Sequence, residues 1–504
     1  MNIQLRDYQQ TVYNRCREAY KRFKHIAVWS PTGSGKSIIF MYMIQQAVNK
    51  GKRVLVLVTR DTLQNQVAEY CEQFGIPYGI IHGTEKRNNN PVQISIVDSF
   101  ISRLETFDMV CVDEMHLSAA SDFMTCLNYL KEHGAIILGF SATIRRLDGI
   151  GLGESAGGAF QTIVRGPEMK WLVDEGYLVD CEIYAPSPPE MISTSGSDFN
   201  MTAYMRQVGG TKRISNAVEM WEKFAKHKLT VAFCCSIKDA RNVRDEFRAA
   251  GYKAETLHSQ KKKKQDEILR QFNNRELELL ITVDLLSYGV DIPIIECALS
   301  LRPTASETLY LQQLGRVLRP LYALGTDATT KAGRLKGIAN SRKPVAIVLD
   351  CASNVYYHGF PTDKREWTLE GLKNQPKIIE DAVASPVLCM NCGRMYSSKY
   401  DFCRFCGEKK KHRKRLIKME AGELRLLTED EYNAELKRRA DEAEAKAEAE
   451  RKRIERAETL RVRKKAAKTL EDYTQIEHDL GLKYGWGYIN YNIYRKYVDR
   501  YKYR

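Results

Sequence analysis

Ser30-Pro-Thr-Gly-Ser-Gly-Lys-Ser37 lies between an apolar run, Ile26-Ala-Val-Trp29, and a helical pattern over residues 37–49. Strand, Gly-rich loop, helix is the context that a phosphate-cradling loop requires. Gly33 and Gly35 let backbone N–H groups turn toward phosphate oxygens, and the helix N-terminus adds its dipole. Lys36 would reach the β- and γ-phosphates, Ser37 would hold Mg²⁺, and Thr32 and Ser34 complete the loop. Ser30 stands where the strict pattern has glycine, and a small residue still fits the turn.

Outward from this loop the chain alternates apolar β-branched runs with helical patterns as far as residue 350. Val54–Val58, Ile94–Val97, Met109–Val112 and Ala135–Phe140 are short and nearly all apolar, as parallel strands buried on both faces are. The stretch 176–189, with Pro186, Pro188 and Pro189, interrupts the pattern. A second set follows at Val231–Phe233, Leu279–Val283, Cys297–Leu301 and Val345–Leu349. The expected fold class is α/β: two parallel-sheet domains in tandem, 1–180 and 181–352, with ligands beyond the carboxyl ends of the strands.

Two further strings sit where that rule puts ligands. Asp113-Glu-Met-His116 follows an apolar strand; Asp113 would hold Mg²⁺ and Glu114 would orient and deprotonate the attacking water. In Gln312-Gln-Leu-Gly-Arg-Val-Leu-Arg319, Arg316 and Arg319 are three apart and share one helical face. Two arginines there could neutralise charge on a transferring phosphate. Gly315 permits a close approach. Together the three strings imply an ATPase that needs two domains.

Composition narrows the setting. The chain has 504 residues, a formal charge of +15 and 13 cysteines. A basic excess fits a polyanion partner, without choosing among DNA, RNA and a membrane surface. No apolar run approaches the roughly 20 residues that span a bilayer. The N-terminus lacks the apolar core of a signal peptide. A cytoplasmic protein without a membrane role is expected, with no disulfide framework. The cysteines outside the cluster described below are expected mostly in apolar strands.

Over residues 1–352 these strings resemble helicase superfamily 2, the DEAD/DEAH-like group with two RecA-like domains. Leu5-Arg-Asp-Tyr-Gln9 resembles its adenine-contacting motif, with Gln9 reading the base. Thr59-Arg60 and the residues to Gln64 resemble a nucleic-acid-contacting motif. Ser141-Ala-Thr143 matches the motif that couples hydrolysis to closure, and His116 is given the same coupling role. Phe233–Ser236 and Thr282–Asp291 match second-domain motifs, implying nucleic-acid contacts at Ser236 and Thr282 and nucleotide contacts at Gly289 and Asp291. Gln312 opens the final motif. Asp-Glu-Met-His departs from the Asp-Glu-Ala-Asp of dedicated RNA-duplex-melting enzymes.

Leu349–Asn354, His358-Gly359, Trp367, a four-cysteine cluster and Tyr484–Tyr488 are similar to the RadD-like (YejH-like) bacterial proteins and their phage relatives. That resemblance implies a DNA-dependent ATPase of repair or recombination, associated with the nucleoid of a bacterial or phage-infected cell. It also implies branched or duplex DNA and a single-strand-binding or recombination protein as partners. The alternatives are an ATP-switched clamp without unwinding, or an RNA helicase.

Cys389-x2-Cys392-x10-Cys403-x2-Cys406 has the spacing of a closed structural Zn²⁺ site, each pair followed by a glycine. The reading places a linker at 353–384 and a zinc ribbon at 385–410. Arg394, Lys399, Arg404 and Lys409–Arg415 would contact duplex or branched DNA. A charged helical segment is expected at 411–470, and an aromatic, basic tail at 471–504 with seven tyrosines after residue 483. Lys261–Lys264, His258 and the stripe Tyr491–Tyr501 carry weaker signals.

Overall fold

The computed structural model describes residues 3–81, 88–118, 121–144, 150–185, 194–195, 198–199, 210–258, 264–283, 295–371, 386–389, 391–397, 400–409, 417–420, 423–426, 448, 459–460, 462–464, 466–480, 482, 488 and 490–492. Residues 1–411 and 412–504 form separate compact units.

The larger unit holds two parallel sheets. The first has seven strands: β1 (His25–Trp29), β2 (Val54–Val58), β3 (Tyr78–Ile81), β4 (Val92–Ile96), β5 (Met109–Asp113), β6 (Ile136–Ser141) and β7 (Thr162–Arg165). Their order is β3-β4-β2-β5-β6-β1-β7, parallel throughout. Val54 to Val58 are all fully buried, which is why these strands read as continuous apolar runs rather than alternating ones. Helices cover both faces, so the sheet divides two apolar clusters: Ala27 and Trp29 join one, Ile26 and Val28 the other.

After the short strand β8 (Cys181–Tyr184) and the two-residue pair β9 (Thr194–Ser195) and β10 (Asp198–Phe199), the second sheet forms. It adds β11 (Thr230–Phe233), β12 (Ala254–Leu257), β13 (Leu279–Thr282), β14 (Cys297–Ser300) and β15 (Ala346–Asp350). Its order is β12-β13-β11-β14-β15-β8, again parallel. Helix starts follow side-chain caps: Ser236 accepts from the Asp239 N–H and Ser306 from the Leu309 N–H.

Three sequence expectations change. Residues 353–371 do not behave as a linker. They run from the second sheet back onto the first, where Gly153 N–H donates to the Leu369 carbonyl at 3.0 Å and Arg165 Nη2 to the Trp367 carbonyl at 2.8 Å. Trp367 packs beside Trp29, ring centres 6.0 Å apart. No helix or strand period marks it, because its buried side chains, Val355, Phe360, Trp367 and Leu369, are irregularly spaced and its other anchors are backbone groups. Second, the segment 411–470 is not helical throughout: the strand Ile417–Glu420 pairs antiparallel with the strand Glu423–Leu426. Alternating apolar and charged residues there have the period of a strand. Third, outside the cluster Cys16, Cys71 and Cys126 lie in helices and only Cys111, Cys181 and Cys297 in strands. A small buried thiol packs equally well on either element.

In the smaller unit the helix Leu470–Asp479 starts on a capping box made by Thr469 and Asp472. It buries Tyr473 and Ile476 beside Ala467, with Tyr491 packed against them. Among the stripe residues, Tyr491 therefore faces a small core; Tyr494, Tyr497 and Tyr501 lie outside the described residues. No described helix is long and apolar enough to cross a membrane.

Candidate active site

The Gly-rich loop sits at the carboxyl end of β1. Gly33 and Gly35 have φ of 82° and 75°, in the left-handed region that side chains disfavour, and Gly35 caps the helix Lys36–Val48. Ser30 makes use of its hydroxyl, which lies 2.7 Å from Ser34 Oγ. The Ser34 carbonyl accepts from Tyr8 Oη at 2.8 Å and from Gln9 Nε2 at 3.2 Å, while Gln9 Oε1 accepts from the Arg6 N–H at 3.0 Å. Gln9 thus braces the loop from the helix Asp7–Tyr20. Tyr8 does so as well, and sequence reading passed it over, since nothing local marks a tyrosine whose partner is 26 residues away.

Asp113 ends β5, and Glu114 follows at φ 50°, an unfavourable conformation for a residue with a side chain. That turn aims Glu114 at a hydroxyl–imidazole chain. His116 Nδ1 lies 3.3 Å from Glu114 Oε2 and 2.9 Å from Ser141 Oγ. Ser141 Oγ accepts from the Thr143 N–H at 3.2 Å, and Thr143 Oγ1 lies 2.8 Å from Thr308 Oγ1. Thr308 lies in the first turn of the helix Glu307–Val317, which packs on the second sheet, so the chain of contacts crosses between the two sheets.

Arg316 and Arg319 come from the end of that helix. Gly315 lets it approach: a Cβ there would stand 2.3 Å from Thr32 Cβ and Cγ2. The result is one cavity of about 780 Å³ lined by Gln9, Thr32, Gly33, Gly35, Lys36 and Ser37 from the loop side, Asp113 and Glu114 from β5, and Gln312, Arg316 and Arg319 from the second domain. Arg6, Tyr70, Tyr177 and Tyr322 also line it, and sequence analysis singled out none of them. Arg6 and Arg334 flank the Tyr177 ring, 5.0 and 3.9 Å from its centre.

Charge in this cleft is poised for an anion and a cation. Burial pushes Lys36 down from its ordinary value, with Glu114 and Asp113 opposing. Burial and then the neighbouring Glu114 push Asp113 up to about 7. Burial also presses on Glu114, but its His116 bond, then the charges of His116, Lys36 and Arg316, outweigh it and hold that carboxyl below its ordinary value. Thr32 Oγ1 and Gln312 Nε2 are buried and lack a hydrogen-bond partner among the described residues. Unpaired buried polar atoms are costly, so their presence in this cavity fits a ligand rich in donors and acceptors. A triphosphate with Mg²⁺ matches the donor set: hard oxygens at Ser37 and Asp113, cations at Lys36, Arg316 and Arg319.

The nucleic-acid candidates are less uniform. Thr59 follows β2, with its hydroxyl buried and without a partner among the described residues, and Arg60 precedes the helix Asp61–Phe74. Ser236 is occupied as a helix cap. Thr282 ends β13 at 1% exposure, as a buried strand residue. His258 follows β12 and is also buried. Gly289, Asp291 and Lys261–Lys263 lie outside the described residues.

The four cysteines converge. Cys389 Sγ lies 3.6 Å from Cys406 Sγ, Cys392 Sγ lies 3.7 Å from Cys403 Sγ, and all four sulfurs fall within 4.8 Å of one another. Four sulfurs on one tetrahedral Zn²⁺ stand about 3.8 Å apart, given a Zn–S bond near 2.3 Å. Peptide N–H groups of Arg394 and Glu408 turn back to Cys392 and Cys406, as knuckles around a metal do. The donor set therefore fits Zn²⁺. The cluster's arginines do not face outward as expected. Arg394 Nε pairs with Glu182 Oε2 at 2.8 Å, and Arg404 Nη2 lies 3.3 Å from Asp180 Oδ1. Both dock the ribbon on the β8 edge of the second sheet, where acidic residues are waiting. Lys399 and residues 410–416 lie outside the described residues.

Comparison with known proteins agrees with this arrangement. Residues 2–146 match the family described as the type III restriction enzyme res subunit, and residues 212–320 the helicase conserved C-terminal domain. A 51.5 kDa protein of a Lactococcus phage is 25% identical, over 83% of this chain and 88% of that one. IRC3 of Saccharomyces cerevisiae, named as an ATP-dependent helicase, is 27% identical over 62% of this chain; the match spans about half of IRC3, 49%. An HsdR-subunit fragment of a type I restriction enzyme from Vibrio vulnificus shares the fold, with a TM-score of 0.51 at 18% identity, over 70% of this chain and 65% of that one. With residues of two parallel sheets lining one cleft and both domain families matched in order, the chain is an ATP-dependent, helicase-type enzyme of superfamily 2.

Proposed function

We propose that the chain couples ATP hydrolysis to movement along DNA, remodelling branched or damaged duplexes in replication, repair or recombination, as the RadD-like resemblance implies. One observation carries the reading: Lys36, Asp113 and Glu114 from one sheet share a cavity with Arg316 and Arg319 from the other. Hydrolysis then requires both domains to meet, and each turnover can move one against the other. Lys36 binds the phosphates, Ser37 and Asp113 hold Mg²⁺, and Glu114 activates water. Arg316 and Arg319 offset charge in the transition state. Gln9 with the loop, and Gly289 and Asp291 of the resembling motif, complete nucleotide binding. His116, Ser141 and Thr143 relay the state of Glu114 to Thr308. Residues 1–180 and 181–352 are the two motor domains. Thr59, Arg60, Ser236 and Thr282 shape the nucleic-acid track, the buried Thr282 through the end of its strand. Cys389, Cys392, Cys403 and Cys406 hold a structural Zn²⁺ in a ribbon over 385–410.

The net charge of +15 supports a polyanion substrate. Turnover measured against single-stranded, duplex, forked and four-way DNA and against RNA tests the choice of DNA. Strand displacement beside triplex displacement tests motion. Stimulation by RNA alone, or ATPase with neither displacement, would replace this reading with an RNA helicase or with a clamp.

A further inference from the structure

The turn that presents Arg319 is held from behind. Arg319 lies just past the helix Glu307–Val317, where carbonyl groups run out of helical partners. The Leu318 carbonyl accepts from the Val179 N–H at 2.9 Å, and the Arg319 carbonyl accepts from Lys343 Nζ at 2.6 Å. Lys343 belongs to the turn between the helix Lys331–Ala339 and β15, and its own N–H is fixed on Ser341 Oγ at 3.0 Å. Its side chain is 0% exposed.

A lysine buried to that degree is unusual, and its charge is costly unless compensated. The nearest acidic influence, Glu296, is already engaged: Arg275 pairs with it at 2.8 Å, and the Leu229 N–H donates to it at 2.9 Å. Among the described residues Lys343 has no carboxylate at ion-pair distance. Burial accordingly pushes it down to about 7, Glu296 opposing and Arg319 adding to the fall. In either protonation state Nζ keeps an N–H for the Arg319 carbonyl. An apolar side chain would fill the same space without that cost, but it would leave the carbonyl unpaired at the base of the arginine.

We propose that Lys343 is a positioning residue for Arg319: by gripping its carbonyl, it fixes the direction in which the guanidinium enters the nucleotide cleft. This rests on the reading of Arg319 as a phosphate-directed arginine. Lys343 does not line the cleft and touches no reacting atom; it acts through Arg319 alone. Release of the grip lets the turn relax, and displacement of a catalytic group by about 1 Å can cost roughly 100-fold in rate.

The test uses the full chain, with nucleic-acid-stimulated ATP turnover and thermal melting measured on Lys343→Met, Lys343→Gln, Arg319→Ala and Arg319→Ala/Lys343→Met. Lys343→Met should lower kcat about 10- to 100-fold with KM for ATP nearly unchanged. Its melting temperature should change little, because relief of the buried charge offsets the unpaired Arg319 carbonyl. Lys343→Gln, a shorter donor, should recover part of the loss and covers the case in which Met does not fold. The double variant should be no slower than Arg319→Ala alone, since residues acting through one another are not additive. Losses that add in the double variant, or wild-type kcat in a well-folded Lys343→Met, overturn the proposal while leaving Arg319 in its role. Wild-type turnover in Arg319→Ala removes the arginine reading itself, and this proposal with it.

Discussion

The nucleotide cleft and the cysteine ribbon both gather polar ligands, and they do so in opposite ways. The cleft assembles residues from Gln9 to Arg319, on two sheets that touch through Gly315 and Thr32. It keeps orphaned groups at Thr32 and Gln312, and buried charges whose proton affinities are displaced. The ribbon draws its four sulfurs from residues 389–406 and satisfies them with its own peptide groups. The cleft draws its lining from both sheets and leaves buried polar groups unpaired, which suits a site that receives a polar ligand. The ribbon's four sulfurs could share one metal, which would suit a fixed attachment.

This contrast is broken most severely at the arginines. Arg316→Ala should cut turnover about 10³- to 10⁵-fold while nucleotide affinity falls far less. Glu114→Gln should reach a similar depth by another route, retaining ATP and remaining bound to nucleic acid. Single-turnover kinetics beside nucleotide titration separates the two, and near-normal turnover in Glu114→Gln removes it as the activating carboxylate.

Next comes the domain contact itself. Gly315→Val places a side chain where Thr32 already stands, so the helix Glu307–Val317 must retreat from the loop. Turnover should fall on the order of 100-fold with ATP binding preserved. Unchanged turnover would mean that hydrolysis does not need this approach.

The ribbon should respond differently. Cys389→Ser, or treatment with a strong chelator, should release metal and unfold residues 385–410, as metal binding and folding are one equilibrium in such small sites. Metal content should drop from one Zn²⁺ per chain, while turnover without nucleic acid persists. A parallel collapse of basal turnover would show that the ribbon supports the cleft.

The smallest effect sharpens the boundary between them. Arg394→Ala removes the partly buried pair with Glu182 and should cost about 1 kcal/mol of ribbon docking. Because Arg394 faces the second sheet, the slope of log affinity for duplex DNA against log salt should not change. A slope shallower by about 0.9 would restore it as a phosphate contact.

Local chemistry was readable from the chain. A Gly-rich loop, an acidic pair after an apolar strand, two arginines one turn apart and a C-x2-C pair each carry their meaning in consecutive residues. The inner strands were legible because buried parallel strands need unbroken apolar runs, as Val54–Val58 shows, whereas the edge strands β3, β7, β8 and β12, covered by a neighbour on one side alone, carry no such run and were missed. What the chain could not announce were contacts between distant segments. The brace of Tyr8 on Ser34, the hydroxyl pair Thr143–Thr308, the return of Trp367 to Trp29, the docking of Arg394 on Glu182 and the grip of Lys343 on Arg319 all join residues at least 24 positions apart. Two of these partners, on Ser34 and Arg319, are backbone carbonyls, which every residue possesses and no sequence pattern marks. The sequence by itself determined which groups can hold a phosphate and a metal, since that is a property of side chains and local turns. Only the tertiary structure decided which lysine supports an arginine and which arginines are consumed inside, since those choices depend on what packing brings within about 3 Å.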